Sequence, residues 1–284
     1  MKLIKKVNIL IVGLGLLGGS YAKGLKKLGF TVNAITKEQK SIDYAIKNSI
    51  IDNGSTEIDE KLIGEADLVI FALYPHIMIE WINANQQYFK SGAVLTDVTG
   101  VKGIVVDEIQ NNLRKDVEFI AAHPMAGKEV SGVENSDESI FLGANYLVVP
   151  TEKNTPKAIE LCRNLGEILG FKQVSELSVK EHDEMIAFLS QLTHCLAVSL
   201  MCCNSKEGLE KYTGDSFRDL TRIARINDEM WSELFLSNKE ALLFEMERFL
   251  TSFNELYENI KNDNRVGIRE MMKLSTVRRA KFDK

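Results

Sequence analysis

The sequence has few of the residues from which metal sites and disulfides are built. It contains four cysteines and four histidines in 284 residues, and none of them forms a close-spaced metal-ligand motif. A bound metal ion is therefore not expected. The cysteines are Cys162, Cys195, Cys202 and Cys203, and their helical surroundings favour reduced thiols in a cytoplasmic protein.

Charge and hydrophobic runs are also limited, which argues against two classes of partner. The formal net charge is -5 with acidic and basic residues interspersed, so no basic stripe indicates a nucleic-acid partner. No stretch reaches the roughly 18 apolar residues of a membrane span, so no membrane partner is expected. The start "MKLIKKVNILIVG" looks like a secretory signal, but glycines end its apolar run at once, and we interpret the run as a strand.

Proline is scarce, and its distribution divides the chain in two. None of the four prolines follows Pro156, as expected for a segment that is nearly all helix. Before that point, helical patterns alternate with apolar runs at 7–13, 30–36, 66–74, 92–98, 118–124 and 145–150. Strands that are apolar throughout are typical of parallel sheets, which are buried on both faces. We therefore predict an α/β fold, with a Rossmann-type doubly wound parallel sheet over residues 1–176.

The second part of the chain, residues 177–284, is predicted to be all helical. Long helical patterns run over 179–203, 228–260 and 263–282, with apolar residues three and four positions apart. Helices with so many apolar positions need another surface to cover them. We therefore expect a dimerisation domain and a homodimer.

Glycines cluster where the first strand meets the first helix. Gly13, Gly15 and Gly18 form the pattern G-x-G-x-x-G. The pattern alone could be a tight turn, but between a buried strand and a helix it is typical of a dinucleotide-phosphate loop. Gly13 permits the turn, Gly15 lets a pyrophosphate approach the backbone, and Gly18 lets the helix pack close to the strand. The other cofactor contacts expected near this loop are Leu16, Leu17, Ala72 and Leu73.

The end of the second predicted strand bears on the choice between NAD and NADP. An NAD site usually has Asp or Glu there to bind the ribose hydroxyls. This chain has Thr36 and Lys37 at that place, followed by Glu38. Thr36 and Lys37 could accept a 2′-phosphate, Glu38 could serve the ribose, or the segment could be a surface turn. The cofactor is thus NAD or NADP, and we predict kcat/KM for NADP to equal or exceed that for NAD.

Two of the four histidines stand where chemistry is expected. His123 ends an apolar strand, and ligands bind at the carboxyl ends of strands in open sheets. Near a nicotinamide it would be a natural general base, although a structural loop histidine is the alternative. His194 lies four residues after Ser190 on a predicted helix, so both share a face. We interpret His182, among the charges of "VKEHDEM", as part of a solvated face.

Three arginines could bind a carboxylate with their bidentate guanidinium groups. They are Arg218, Arg222 and Arg225, within "FRDLTRIARIND". Surface salt bridges are the alternative, especially for Arg218 and Arg225.

Five segments together resemble one family, the prephenate/arogenate dehydrogenases. They are "GLGLLGGS", "TDVTGVKG", "HPMAGKEVSGVENS", "LSQLTH" and "DLTRIA…MWSELFLSNK", in this order and spacing. The resemblance covers essentially the whole chain. It implies a Rossmann domain with a helical dimerisation domain, and oxidative decarboxylation of prephenate to 4-hydroxyphenylpyruvate with NAD(P)+ in tyrosine biosynthesis. Arogenate, which would give tyrosine directly, remains the alternative substrate.

The same resemblance implies roles for individual residues. His123 matches the catalytic histidine that bonds the ring hydroxyl of the substrate. The remaining implied substrate contacts are Glu129 at the mouth of the site, Ser190, His194 and the carboxylate-binding Arg222. The family usually has a serine where this chain has Gly100, and Thr99 is expected to supply that hydroxyl from one residue earlier.

Two other functions stay open at this stage. A β-hydroxyacid-type dehydrogenase also pairs a Rossmann domain with helices, and Lys239 would be its candidate base. The "HPMAGKE" segment argues against it. A catalytically inactive dinucleotide sensor would bind partners through the helical surface, and Gly100 at the serine position leaves room for that reading.

Overall fold

The larger sheet has the strand order of a dinucleotide-binding domain. The structure, a computed structural model, describes residues 7–128 and 130–283. The strands of this sheet are β1 Asn8–Val12, β2 Thr31–Ile35, β3 Asn53–Ser55, β4 Leu68–Phe71, β5 Val94–Asp97 and β6 Glu118–Phe119. All pair in parallel, in the order β3-β2-β1-β4-β5-β6. The predicted doubly wound parallel sheet is confirmed, and its order reverses between β1 and β4, where such sheets bind ligands.

Helices cover both faces of this sheet. They are α1 Leu16–Lys27, α2 Gln39–Lys47, α3 Glu60–Glu65, α4 Pro75–Asn85, α5 Gly103–Asn112 and α6 Pro156–Ile168. One apolar core includes Leu25 of α1 and Leu165 of α6, and the other includes Ile82 of α4 and Ile109 of α5. Burial on both faces explains why the central strands are apolar at every position.

After β6 the chain enters a second sheet of three strands. Its strands are β7 Ala121–Pro124, β8 Asn145–Val149 and β9 Gln173–Glu176, with β7 antiparallel to β8 and β8 parallel to β9. The prediction of one strand over 118–124 was therefore wrong. Ile120 still donates from its amide to Leu95, but the amide of Ala122 donates to the side chain of Asp97, 3.0 Å away. The chain leaves the larger sheet at this point.

The rest of the described chain is helical, which confirms the predicted second domain type. Its helices are α7 Val179–Ile186, α8 Leu192–Cys202, α9 Asp215–Thr221, α10 Asp228–Ser237, α11 Lys239–Lys261 and α12 Arg265–Arg279. A π-helical turn, Ala187–Gln191, joins α7 to α8. The predicted helix over 228–260 is instead two helices, because Asn238 leaves the helical conformation between α10 and α11.

The helix from Val179 to Cys202 is long and apolar enough to cross a membrane. It has 24 residues, and its most apolar 18-residue window has a mean hydropathy of 1.7. The sequence expectation that no stretch reaches this length was therefore wrong. A single helix of this kind is weak evidence for a membrane, since helices inside soluble proteins meet the same criteria. This one packs against α11 and against the 3-10 turn Arg222–Ala224.

The two halves of the chain touch where α4 begins. Glu233 on α10 accepts hydrogen bonds from the backbone amide and from ring Nδ1 of His76, both at 2.7 Å. Asn227, just before α10, donates to the hydroxyl of Tyr74 at 3.0 Å. These contacts bring α10 next to the carboxyl end of β4.

Candidate active site

The glycine-rich turn lies at the point where the strand order reverses. Gly13 has a φ of +94°, and a Cβ built on it would lie 2.4 Å from the carbonyl oxygen of Ala72. A Cβ on Gly18 would lie 2.0 Å from the carbonyl oxygen of Gly13. Larger residues cannot fit at either position without moving backbone, so the two glycines hold β1, α1 and the end of β4 in close contact.

Gly15 faces open space in the same turn. Apart from its two chain neighbours, no atom of the described residues lies within 4 Å of the position its Cβ would take. Gly15 precedes α1 without a side-chain cap. The first turn of α1 also has no acidic residue. Unpaired amides at a helix start attract phosphate oxygens. The residues therefore fit the pyrophosphate of a dinucleotide, which a side chain at Gly15 would displace.

The other predicted cofactor residues surround this turn. Leu16 and Leu17 begin α1 and are half-buried, while Ala72 and Leu73 follow β4 beside Gly13. Thr36 and Lys37 follow β2 next to the turn, because the amide of Gly13 donates to Ile35 at 2.8 Å. These residues form one group in the structure.

Glu38, the alternative ribose ligand, is directed toward its own helix. Its carboxylate accepts a hydrogen bond from Ser41 Oγ at 3.1 Å and lies 3.4 Å from Nζ of Lys40. Thr36 is half-buried and Lys37 is exposed. The hydroxyl of Thr36 and the ammonium group of Lys37 thus stand after β2, where an NAD site commonly has a carboxylate that binds the ribose.

His123 is the start of a chain of three side chains. It lies half-buried on β7, and its Nδ1 is 3.0 Å from Nε2 of His182. The other nitrogen of His182, Nδ1, donates to Oδ1 of Asp183 at 2.7 Å. His182 is completely buried. The interpretation of His182 as part of a solvated face was therefore wrong.

Asp183 is held by the start of α5. Its two oxygens accept from the backbone amides of Lys102 and Gly103, at 2.9 and 2.8 Å. With the Nδ1 proton of His182 directed at this carboxylate, a neutral His182 can only accept at Nε2. His123 must then donate from Nδ1, which leaves the lone pair of His123 Nε2 available as a base.

Burial keeps both rings neutral at pH 7. It is the main cause that lowers the pKa of His123 well below 6.5, and positive charge on His182 or Lys102 lowers it further. Burial also lowers the pKa of His182, against the opposing effect of its hydrogen bond to Asp183. A neutral imidazole at His123 is the form that can accept a proton.

A buried ion pair supports the loop beside His123. Lys102 Nζ donates to Asp97 Oδ2 at 2.5 Å, and both side chains are completely buried. Burial lowers the pKa of Lys102, and Asp97 opposes that effect. Because Asp97 also accepts from the amide of Ala122, it connects this loop to the strand that carries His123.

The expectation that Thr99 supplies the missing serine hydroxyl was wrong. Thr99 is buried, and its hydroxyl lies between Asp97 and the carbonyl oxygen of Val101. It also accepts from Lys102 Nζ at 3.0 Å. Gly100, not Thr99, faces the histidine, since a Cβ built on Gly100 would lie 4.0 Å from His123 Cε1.

His194 is positioned by its own helix and by α10. Its Nδ1 donates to the carbonyl oxygen of Ser190 at 2.9 Å, and its ring stacks on Trp231 with centroids 3.7 Å apart. The predicted proximity of Ser190 and His194 thus involves the backbone of Ser190. The same stack places Trp231, which the sequence pattern did not single out, directly beside His194.

Three other residues named from the sequence, Arg222, Arg218 and Lys239, are exposed. Arg222 is exposed at the start of the 3-10 turn Arg222–Ala224, which packs against α8. Arg218 forms the surface salt bridge that was its alternative role, with Asp215 at 2.5 Å. Glu129 falls outside the described residues. Lys239, the base of the β-hydroxyacid alternative, is exposed at the start of α11.

Two family models match most of the chain. Residues 21–175 match the nucleotide-binding domain of prephenate dehydrogenase, and residues 178–274 match its dimerization domain. The boundary predicted at 176/177 falls between these two matches.

Several known proteins are similar to this chain over most of its length. A prephenate dehydrogenase of Lactococcus lactis is 33% identical over 258 residues, covering 88% of this chain and 70% of the relative. A cyclohexadienyl dehydrogenase of Zymomonas mobilis is 28% identical over 257 residues, covering 88% and 87%. The crystal structure of A. aeolicus prephenate dehydrogenase with hydroxyphenyl propionate and NAD+ is 32% identical with a TM-score of 0.90, covering 99% and 100%.

The fold, the glycine turn and the similar proteins together define an NAD(P)-dependent oxidoreductase with a Rossmann domain and a helical domain. The chain belongs to the prephenate dehydrogenase family.

Proposed function

We propose that the protein converts prephenate to 4-hydroxyphenylpyruvate by oxidative decarboxylation, with NAD(P)+ as the hydride acceptor. The observation that carries this proposal is the chain His123–His182–Asp183, which supplies a neutral base in a member of this family. Tyrosine biosynthesis is the pathway that such a reaction serves.

The proposed reaction needs a base and orientation from the protein. NAD(P)+, bound at the glycine turn, supplies a carbon that accepts hydride from the hydroxyl-bearing ring carbon of prephenate. Nε2 of His123 takes the hydroxyl proton as that carbon is oxidised. The ring carboxylate leaves as CO2, its bonding electrons make the ring aromatic, and His123 returns the proton to the ring oxygen to give the phenol. Aromatisation drives the reaction, so orientation is the main remaining task.

His182 and Asp183 stabilise the base after it has taken the proton. His123 then carries a positive charge, while its Nδ1 proton stays bonded to His182. The carboxylate of Asp183 lies at the far end of the same chain of hydrogen bonds. Its charge favours the protonated form, because His182 between them is completely buried.

Arg222, His194, Ser190 and Glu129 are proposed to hold the substrate. Prephenate has two carboxylates, and the bidentate fork of Arg222 suits one of them. His194 has Nδ1 bonded to Ser190, so its Nε2 edge is the one directed away from that helix backbone. Glu129 is assigned to the mouth of the site on the family resemblance alone.

A coupled assay of substrate and coenzyme tests the proposed function. The purified chain is mixed with prephenate or arogenate and either coenzyme, and the absorbance of reduced nicotinamide is followed. We expect turnover with prephenate at a higher kcat/KM than with arogenate. A reversed order would establish the arogenate alternative. Coenzyme binding without turnover of either substrate would favour the inactive sensor.

The coenzyme preference follows from the end of β2. Because Glu38 is bonded within α2 while Thr36 and Lys37 follow the strand, we expect kcat/KM for NADP to equal or exceed that for NAD. Steady-state kinetics with both coenzymes at saturating prephenate measures the ratio. A strong preference for NAD would show that Glu38 turns to the ribose when coenzyme binds.

A homodimer is proposed from the surface of α11 and α12. Large apolar side chains are exposed along both helices, among them Phe244, Phe253, Tyr257, Val266, Met272 and Val277. Apolar patches of this kind usually mark a contact with another protein. The matched domain is described as a dimerization domain, which supports a second copy of this chain as the partner.

A further inference from the structure

The π-helical turn Ala187–Gln191 lies between the two histidines of the long helix. His182 and His194 are twelve residues apart in the sequence. In an uninterrupted α-helix, with about 100° per residue, they would point about 120° apart. A π turn takes up one extra residue, which reduces the angle to about 20°. The turn therefore brings His194 to the face of the helix on which His182 meets His123.

Two buried amide side chains hold this turn. Gln191 is its last residue, and its Nε2 donates to the carbonyl oxygen of Leu234 at 2.8 Å. Asn238 Nδ2 donates to Gln191 Oε1 at 2.8 Å and to the carbonyl oxygen of Asp183 at 2.9 Å. Gln191 is 1% exposed and Asn238 is 7% exposed.

The network connects both ends of the turn to the neighbouring helices. Asp183 lies before the π turn, Gln191 ends it, and Asn238 bonds to both from the junction of α10 and α11. A buried amide that loses its hydrogen-bond partner lowers the stability of the folded state. These hydrogen bonds therefore restrict the geometry of the π turn more strictly than apolar contacts would. The backbone of Asp183, next to His182, is thereby fixed relative to Gln191.

The same network reaches the partner of His194. Leu234, which accepts from Gln191, lies on α10 one turn after Trp231. Trp231 stacks on the ring of His194. Gln191 therefore ties the helix that carries His194 to the helix that carries its stacking partner.

We propose that Gln191 and Asn238 are positioning residues, whose amide network holds the π turn and so turns His194 toward the substrate. The proposal rests on the proposed function, because it takes His194 as one of the residues that bind prephenate. Neither amide contacts the reacting atoms, and both act through the orientation of the helix.

Two variants of matched shape test the proposal. Gln191→Met removes both hydrogen bonds of the side chain. Asn238→Asp replaces the donating Nδ2 with a carboxylate oxygen, which is repelled by the Asp183 carbonyl oxygen and by Gln191 Oε1. We expect KM for prephenate to rise about ten-fold in each, as for a displaced binding group, while KM for the coenzyme changes less than two-fold. Emission of Trp231, isolated in a Trp81→Phe background, should change because the His194 stack is lost.

Ser199→Ala is the matched control on α8. Ser199 is exposed, so the KM for prephenate and the Trp231 emission of this variant should match those of the parent protein. A fall in melting temperature with unchanged KM and unchanged emission in both test variants would show a purely structural role and overturn the proposal. If the parent fails to turn over prephenate, the proposed function fails, and Trp231 emission still decides whether the amides position His194.

Discussion

Replacing His123 with asparagine is expected to lower kcat for prephenate by about 10²- to 10⁴-fold, the usual contribution of a general base. Asparagine retains polarity and can still bond to His182, but its amide nitrogen has no basic lone pair. The KM for prephenate should change little, since binding is assigned mainly to other residues. Steady-state kinetics over a range of pH provides the measurement.

The pH profile separates loss of the base from general damage. Because the pKa of His123 lies well below 6.5, its protonation should reduce kcat/KM of the parent protein only on the acid side of that value. This acidic limb should be absent from His123→Asn. His76→Asn is the control, since His76 also follows a strand but is half exposed and bonded to Glu233, and its kcat should stay within about two-fold. An unchanged kcat in His123→Asn would exclude His123 as the base.

Local signals in the sequence predicted the coenzyme side of the site. The glycine pattern has a meaning fixed by its immediate neighbours, a buried strand before it and a helix after it. Apolar strands predicted the parallel sheet because burial on both faces leaves no alternation. His123 was recognised because the carboxyl end of such a strand is a defined place in the fold.

Contacts between distant parts of the chain could not be predicted in the same way. His182 and Asp183 stand among charged residues, which indicated a solvated face, yet α5 covers both because its first amides bind Asp183. An acidic residue next to a histidine, as Asp183 is to His182, can indicate an imidazole held in one orientation. Only the burial of both side chains distinguishes that interpretation from a solvated face. The role of Thr99 was misassigned because Lys102, three residues later, is buried beside Asp97. Lys102 donates a hydrogen bond to the Thr99 hydroxyl, which is therefore held next to Asp97.

Interruptions of regular structure were also invisible in the pattern. The π turn shifts the residue pattern of 179–203 by one position, but α8 is apolar at most of its positions, so the sequence still indicated one uniform helix. β3 has the polar sequence Asn-Gly-Ser, which does not favour a strand. It becomes the edge strand of the sheet by pairing with β2. In each case the backbone follows a tertiary partner and not the local preference of its residues.

Replacing Asp183 with asparagine is expected to lower kcat by about 10²- to 10⁴-fold, because it removes the negative charge that favours protonated His123. Both carboxylate oxygens of Asp183 accept from backbone amides, and Oδ1 also accepts from Nδ1 of His182. The Nδ2 group of an asparagine would face an amide donor at either position, so the side chain would orient His182 less firmly. No group that contacts the substrate is changed by this substitution.

Kinetics and coenzyme binding distinguish this effect from unfolding. The KM for the coenzyme should stay within about two-fold, because the glycine turn lies at the ends of β1 and β4, away from Asp183. Glu184→Gln is the matched control, since Glu184 is exposed on the same helix and pairs only loosely with Lys180 at 3.7 Å. If Asp183→Asn retained the kcat of the parent, the proton on His123 would not depend on Asp183, and the base would have to be oriented by other contacts.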